Sequence, residues 1–258
     1  MSLENRAVLV TGASRGIGKA IALRLAREGA AVAVNYRQSK HEAEAVVTQI
    51  CESGGRALAV QADLGDLKAA GAMAQVVLEA LGSLDILINN AAIIHRGDLE
   101  EYDPAALEEM WRINVAGLSA LTSAAARGMK ARGWGRIVNV ASIAAHGTVM
   151  PKTTFYAATK AAVVTLTRRF AMDLGPYGVT VNAIAPGFIL TDMVSVDRTP
   201  EEAQATLERI AAKAMMRRTG RPEDIAHVAA FLASEECGFL TAQTITVDGG
   251  RMDYTGHP

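Results

Sequence analysis

Residues 9–21 read LVTGASRGIGKAI. The stretch takes a short apolar run, AVLV (7–10), into a turn holding Gly12, Gly16 and Gly18, and then into a segment whose apolar residues recur at helical spacing. Glycine tolerates positive φ and has no Cβ, so a chain can turn sharply there and bring its backbone close to a ligand. The first N–H groups of the helix that follows lack partners within the helix and carry its positive pole, which suits a pyrophosphate. The spacing is GxxxGxG rather than GxGxxG, so taken alone the turn is equally a plain tight turn.

Working outward, short apolar runs recur at 31–34 (AVAV), 57–60 (ALAV), 86–88 (ILI), 136–141 (RIVNVA), 179–185 (VTVNAIA) and 244–247 (TITV). Each is too short for a helix, and turn residues or charges flank most of them, so they read as buried strands. Between them, segments 16–28, 40–53, 67–81, 104–132, 155–174 and 222–234 show helical periodicity. Strand and helix in alternation predict an α/β fold: a doubly wound parallel sheet of about seven strands, Rossmann-like, forming one domain over residues 1–258. A closed eight-fold barrel is the rival, but seven strand candidates and a glycine-rich first turn favour the open sheet, whose ligands bind beyond the carboxyl ends of the strands. Residues 187–220 break the rhythm with a long connection, expected to hold a helix starting near Thr199 with Pro200 at its first position. Such a connection reads as a substrate lid, or else as a passive surface helix.

The chain's 26 basic and 27 acidic residues leave a formal net charge of -1, a poor field for holding polyanions or an acidic membrane, so nucleic acid is not expected as a partner. Two cysteines, Cys51 and Cys237, without a CxxC pair or a His/Cys cluster, argue against a disulfide framework and a structural metal. The N-terminal residues lack the pattern of a signal peptide and no apolar run reaches 18 residues, so the expected setting is cytoplasmic, without a membrane span.

If the glycine turn holds a dinucleotide, the end of the second strand selects which one. An acidic residue there would hold the ribose 2′-hydroxyl of NAD; here VAVNYRQSK (32–40) offers Tyr36 and Arg37 instead, and Arg15 lies inside the turn. Two guanidiniums suit a 2′-phosphate, which favours NADP(H) over NAD(H), unless both are ordinary solvated charges.

The helical stretch FYAATKAAVV (155–164) carries Tyr156 and Lys160 on one face, since side chains at i and i+4 are neighbours. Upstream, RIVNVASIAAH (136–146) reads as a strand ending at Ser142, at the crevice end of the sheet. An ammonium about 4 Å from a phenol would favour the phenolate by about 4 kcal/mol at an effective dielectric of 20, roughly three pKa units before desolvation, bringing a group of pKa about 10 toward neutrality. A tyrosine so tuned can serve as a general acid or base. His95 and His146 have no carboxylate partner evident in the sequence and read as pocket wall or loop.

The motifs TGASRGIG (11–18), NNAA (89–92), Ser142 and YAATK (156–160), in this order and at these separations, resemble those of the short-chain dehydrogenase/reductase family in its single-domain form, over Val8 to Gly250. The resemblance implies that Ser142 holds the substrate oxygen, that Tyr156 passes the proton, that Lys160 also binds the nicotinamide ribose, and that Asn114, in WRINVAG (111–117), holds a water leading to solvent. It implies cofactor contacts from Gly12, Ser14, Arg15, Gly16, Ile17 and Gly18 in the turn, from Tyr36 and Arg37, from Asp63 and Leu64 beside the adenine, and from Asn90. In PGFILT (186–191), Pro186, Gly187, Ile189 and Thr191 would grip the carboxamide. Ala92 departs from the family's NNAG by one methyl.

Within the family the chain is similar to 3-oxoacyl-(acyl-carrier-protein) reductases, and the basic stretch MKARGWGR (129–136) could dock an acidic carrier, or could complement a helix C-terminus. A second docking arginine of those reductases is Tyr177 here. The resemblance therefore implies reduction of a 3-oxoacyl thioester or related ketone, or oxidation of a polyol, sugar or other alcohol. A non-catalytic NADP(H) sensor would be expected to lose one of the four catalytic positions, and all four are kept. The C-terminal TITVDGGRMDYTGHP resembles a segment that packs between subunits, implying a homotetramer. The substrate pocket would be built from His95, Ser142, Ala144, His146, Met150, Phe188 and the loop of the 190s.

Overall fold

A computed structural model describes residues 2–148, 150–190, 207–251 and 253. Among the described residues there are seven strands: β1 (Ala7–Val10), β2 (Ala31–Tyr36), β3 (Arg56–Gln61), β4 (Ile86–Asn89), β5 (Gly135–Val140), β6 (Val179–Pro186) and β7 (Thr244–Val247). They form one sheet in the order β3-β2-β1-β4-β5-β6-β7, every pairing parallel. These are the seven runs expected from the sequence, and the open sheet, not a closed barrel, is what they build.

The sheet is covered on both sides because its strands are apolar on both faces. Successive side chains of a strand point opposite ways. Thus Val8 and Val10 of β1, Ile86 and Ile88 of β4, and Val138 and Val140 of β5 join one core, while Leu9, Leu87 and Ile137 join the other. The first core is closed by Ile21 and Leu25 of α1 (Gly16–Arg27), Val46 and Ile50 of α2 (Lys40–Glu52), and Ile225 and Leu232 of a helix at Pro222–Ala233. The second is closed by Met73 and Val77 of α3 (Leu67–Leu81), Leu121 and Met129 of α5 (Leu118–Arg132), and Ala171 and Leu174 of α6 (Thr154–Leu174). Each large side chain so buried stabilises the fold by roughly 1.5–3 kcal/mol. In chain order the helices are α1, α2, α3, α4 (Pro104–Trp111), α5, α6 and α7 (Pro222–Ala233), and a short helical run at 207–211 precedes α7.

Helix boundaries follow local chemistry. Asp66 caps α3 by accepting from the N–H groups of Lys68 and Ala69, and Asp103 caps α4, whose first residue is Pro104, by accepting from Ala105 and Ala106. The segment 104–132, read from periodicity as one helix, is interrupted: Arg112–Gly117 is a π-helical turn between α4 and α5. The extra residue in that turn carries Asn114 into the interior, where it is 1% exposed. The helix expected to start near Thr199 lies outside the described residues.

The strand order reverses at β1 and β4. Their carboxyl ends therefore diverge into connections on opposite sides of the sheet, and the crevice between them is where such a sheet binds its ligand. Among the described residues no helix is long and apolar enough to cross a membrane, and no group of three or more His, Cys, Asp or Glu is placed to hold a metal ion.

Candidate active site

At the end of β1 the backbone enters the left-handed region at Gly12 (φ 59°), and α1 begins at Gly16. Two asparagines hold this turn. Asn35 at the end of β2 accepts from Gly12 N (3.1 Å) and donates to the carbonyls of Val60 and Ala62, fastening β1 to β2 and β3. Asn90, just past β4, donates from Nδ2 to the carbonyls of Thr11 (2.8 Å) and Gly12 (3.1 Å), while Thr11 Oγ1 accepts from the N–H groups of Asn90 and Ala91. Gly18 lies against this knot: a Cβ there would sit 2.4 Å from Gly12 O and 2.6 Å from Asn90 Nδ2. The first turn of α1 carries no acidic residue, and Arg15 at its N-cap makes no capping bond with its side chain. The N–H groups of that turn are thus open to an anion, in a cradle that a side chain would fill. These residues fit the pyrophosphate of a dinucleotide.

Around that cradle the expected contacts divide. Arg15 is exposed and has no partner among the described residues; Arg37 is exposed, with Nη1 4.0 Å from Asp63 Oδ2. Asp63 is half-buried and its other oxygen accepts from Gly65 N. Ser14 and Ile17 are part-exposed on the turn. Tyr36, at the end of β2, is 6% exposed and belongs to the apolar core that includes Val34 and Val46. Leu64 is likewise buried. Ala92 is exposed, so its methyl meets no packed wall. On the far side, Pro186 ends β6, Gly187 N bonds Val247 O (2.9 Å), and the strap through Phe188 and Ile189 is tied to Gly220 by Gly220 N to Phe188 O and Leu190 N to Gly220 O. Thr191, with the loop of the 190s, lies outside the described residues.

Ser142 follows β5 with extended backbone and caps a 3-10 turn, Ile143–His146, through Ala144 N (3.1 Å). Tyr156 stands in the first turn of α6 and hydrogen-bonds Ser142. Lys160, one turn on and 3% exposed, places Nζ 5.8 Å from the centre of the Tyr156 ring and donates to Val140 O (2.8 Å). The three side chains the sequence singled out are therefore together. Their acidities differ from the sequence expectation. Burial pushes the Tyr156 phenol up to about 12, the hydrogen bond from Ser142 opposing it, and burial pushes the Lys160 ammonium down to about 8. Desolvation outweighs the attraction that was to bring the phenol near neutrality.

Asn114 is placed by the π turn. Its Oδ1 accepts from Ile93 N and its Nδ2 donates to Ile93 O, both at 2.9 Å, and Nδ2 also reaches Thr159 Oγ1, whose hydroxyl donates to Tyr156 O. The side chain is a clamp joining the loop after β4 to α6. That loop holds a pair the sequence did not suggest, His95 Nε2 and Glu109 Oε2 at 2.7 Å, fourteen residues apart. Asn35, Thr11 and Thr159 were also missed; an asparagine inside a buried strand was the one signal for Asn35.

In the basic stretch 129–136 Arg136 is buried, while Lys130 and Arg132 are exposed in the last turn of α5. Arg136 is 4% exposed, donates to Ser234 O and Gly135 O, and stacks on Trp134. Arg132 pairs with Asp85 (3.3 Å) and donates to Leu84 O, and Lys130 stacks on the Tyr177 ring at 4.5 Å.

A family model described as enoyl-(acyl carrier protein) reductase matches residues 12–252. The 3-oxoacyl-[acyl-carrier-protein] reductase FabG of Staphylococcus aureus is 41% identical over 246 residues, covering 95% of this chain and 97% of that protein. The solved short-chain dehydrogenase/reductase of Serratia marcescens BCRC 10948 superposes with a TM-score of 0.90 at 36% identity, over 97% of this chain and 99% of that one. The chain belongs to the short-chain dehydrogenase/reductase family. A further member, a short-chain dehydrogenase from Burkholderia cenocepacia J2315 solved in complex with NADP, gives a TM-score of 0.88 at 38% identity, with 97% and 99% covered. The protein is accordingly an oxidoreductase of this family.

Proposed function

We propose that this short-chain dehydrogenase/reductase uses NADPH to reduce a ketone, a 3-oxoacyl thioester or a related carbonyl compound, at a site formed by Ser142, Tyr156 and Lys160. The observation that carries the reading is the meeting of three side chains: Tyr156 hydrogen-bonds Ser142, Lys160 Nζ lies 5.8 Å from the centre of the Tyr156 ring, and the buried phenol, its acidity weakened by desolvation, holds the proton that a carbonyl oxygen would take. Bound nicotinamide supplies the hydride. The chain's residues do the rest. Ser142 holds the carbonyl oxygen beside the phenol; Tyr156 protonates that oxygen as it gains charge. Lys160, anchored on Val140 O, sets a positive charge beneath the ring and grips the nicotinamide ribose, while Asn114 keeps the loop after β4 fastened to α6.

The same reading assigns the pyrophosphate to Gly12–Gly18, the adenine to Asp63 and Leu64, and the carboxamide to the 186–191 strap. Exposed Arg15 and Arg37, with no acidic side chain ending β2, support the 2′-phosphate of NADP(H). Residues 187–220 would cover the substrate. Exposed Phe231, on α7, and Phe239, in the connection leading to the edge strand β7, support the homotetramer. Because Arg136 is buried and Tyr177 replaces a docking arginine, free ketones or small thioesters fit better than a large acidic carrier. The test is a spectrophotometric screen of oxoacyl thioesters, ketones and sugars with NADPH and NADH in parallel. A Tyr156→Phe variant should lose at least a hundredfold in kcat while still binding NADPH. Unchanged oxidation of NADPH by that variant would sink the mechanism.

A further inference from the structure

Four residues past β4, the stretch 93–97 is fastened at both ends to the wall that carries Tyr156. Ile93 is held in both directions by the Asn114 side chain, which is tied through Thr159 to Tyr156 O. Gly97 pairs with Thr153, three residues before Tyr156, and its N–H reaches Lys152 O (3.1 Å). His95 sits midway, and its own N–H is turned onto Met110 Sδ (3.3 Å). The loop that carries this imidazole is therefore held on both sides to the wall that bears Tyr156.

The ring is fixed as well as the loop. Nε2 lies 2.7 Å from Glu109 Oε2, and a carboxylate only accepts, so Nε2 carries the proton. In the neutral ring Nδ1 is then a lone-pair acceptor, and among the described residues it has no partner; the side chain is 44% exposed. The charges around it are otherwise engaged. Glu108 is paired with Arg112 (2.8 Å), Lys152 with Glu101 (2.6 Å), and Asp98 accepts from Glu101 N, leaving Glu109 to His95 and leaving Arg96 exposed on the rim. Glu109 itself stands on α4, whose start is pinned by Asp103. A histidine oriented by a carboxylate, with its second nitrogen free on a loop tied at both ends to the segment of Tyr156, is a recognition group in waiting.

We infer that His95, its tautomer locked by Glu109, selects substrates that carry a hydrogen-bond donor, a hydroxyl or N–H, away from the reacting carbonyl. This rests on the proposed carbonyl reduction and names the substrate class for it. An oriented acceptor left unpaired by an apolar substrate is penalised, and a half-exposed one discriminates by about tenfold rather than by the far larger factors of a sealed site.

The experiment compares kcat/KM for a simple methyl ketone and for its analogue bearing one hydroxyl two or three carbons away, with NADPH. The wild-type protein should prefer the hydroxylated ketone by about tenfold, mainly through KM. His95→Phe should bring the ratio to about one, His95→Gln, which keeps an amide acceptor, should restore part of it, and Glu109→Gln, which no longer fixes the tautomer, should lower it. A ratio unmoved in His95→Phe, or a wild-type protein without the preference, overturns the inference and leaves the reaction standing. If the wild-type protein reduces neither ketone, the proposed reaction fails and takes the inference with it.

Discussion

Replacing Gly18 with alanine tests the dinucleotide cradle without touching a reacting group. The added methyl would stand 2.4 Å from Gly12 O, 2.6 Å from Asn90 Nδ2 and 2.9 Å from Ala13 Cα, where ordinary contacts begin at 3.4 Å. Two of these three neighbours are backbone, so the turn itself must open by about 1 Å. The nearest relief moves the Gly12 carbonyl and breaks its bond from Asn90 Nδ2. Overpacking of this kind costs roughly 1–3 kcal/mol and the lost hydrogen bond about 1 kcal/mol more. Because Gly12 also fixes where the first N–H groups of α1 point, the same opening displaces the phosphate donors. NADPH affinity, measured by quenching of protein fluorescence, should weaken at least tenfold, and the urea midpoint should fall. Gly71→Ala in α3 is the control: a Cβ there meets nothing within 4 Å, and exchanging glycine for alanine in a helix stabilises by about 0.5–1 kcal/mol. If Gly18→Ala binds NADPH within twofold of the parent with an unchanged midpoint, the turn is not the cradle.

Four further outcomes follow from the same geometry. Lys160 has a folded pKa of about 8 against the 10.5 of an ordinary solvated lysine, so between those values the unfolded chain holds a proton that the native one has shed, and stability rises with pH by about 2 kcal/mol between pH 7.5 and 10; Lys160→Met should lack that rise in urea unfolding at the two pH values, and a rise of equal size in the variant would show that the ammonium is not its source. Tyr156 works the opposite way in a higher window, since its raised pKa contributes stability that is lost as pH climbs from 10 to about 12. In catalysis, ketone reduction should stay level below pH 8 and fall above it as Lys160 loses its charge, whereas alcohol oxidation, which needs the phenolate, should climb with pH; parallel profiles would contradict the assigned proton donor. Arg132→Gln leaves the Asp85 side chain, 5% exposed, without its cation and should lower stability by about 1–3 kcal/mol with KM for thioesters unmoved, and a KM that instead rose and depended strongly on salt would restore the carrier-docking role.

The legibility of this chain in its sequence tracks how local each determinant is. Seven strands were readable because a strand buried on both faces is an apolar run with turn residues around it, and the glycine turn because positive φ and missing side chains leave a residue-type signature. The Tyr156 and Lys160 pair was readable because helical neighbours sit four residues apart. Tertiary placement was not. Nothing in WRINVAG announces a π turn, since the extra residue is demanded by the clamp of Asn114 on Ile93, twenty-one residues away. His95 and Glu109 meet only because the loop after β4 folds back onto α4. Within the basic stretch, Lys130 and Arg132 lie in the last turn of α5, as the helix-terminus alternative expects, whereas Arg136 falls inside a run read as a buried strand, where a cation must be satisfied internally.

The acidity of Tyr156 is the sharpest case, because the structure brings the expected side chains together while burial moves the phenol in the opposite direction. Coulomb attraction at a fixed dielectric ignores that burying two polar groups together acts oppositely on an acid that is charged when deprotonated and on one that is charged when protonated. Burial moves the phenol to about 12 and the ammonium to about 8, so the lysine becomes the stronger acid of the two by about four units, roughly 5 kcal/mol. On the proposed reading that order is what reduction requires. The alkoxide made from a ketone is a stronger base than a phenolate of pKa about 12, so Tyr156 gives up its proton downhill. The phenolate left behind is in turn a far stronger base than the amine of Lys160, so a proton arriving through the ammonium also runs downhill to the tyrosine. The lysine then serves less to make the phenol acidic at rest than to ensure it is refilled after each turnover. Lys160→Met should accordingly reduce a steady-state rate more than the first turnover, and equal losses in both under rapid mixing would refute the refilling role.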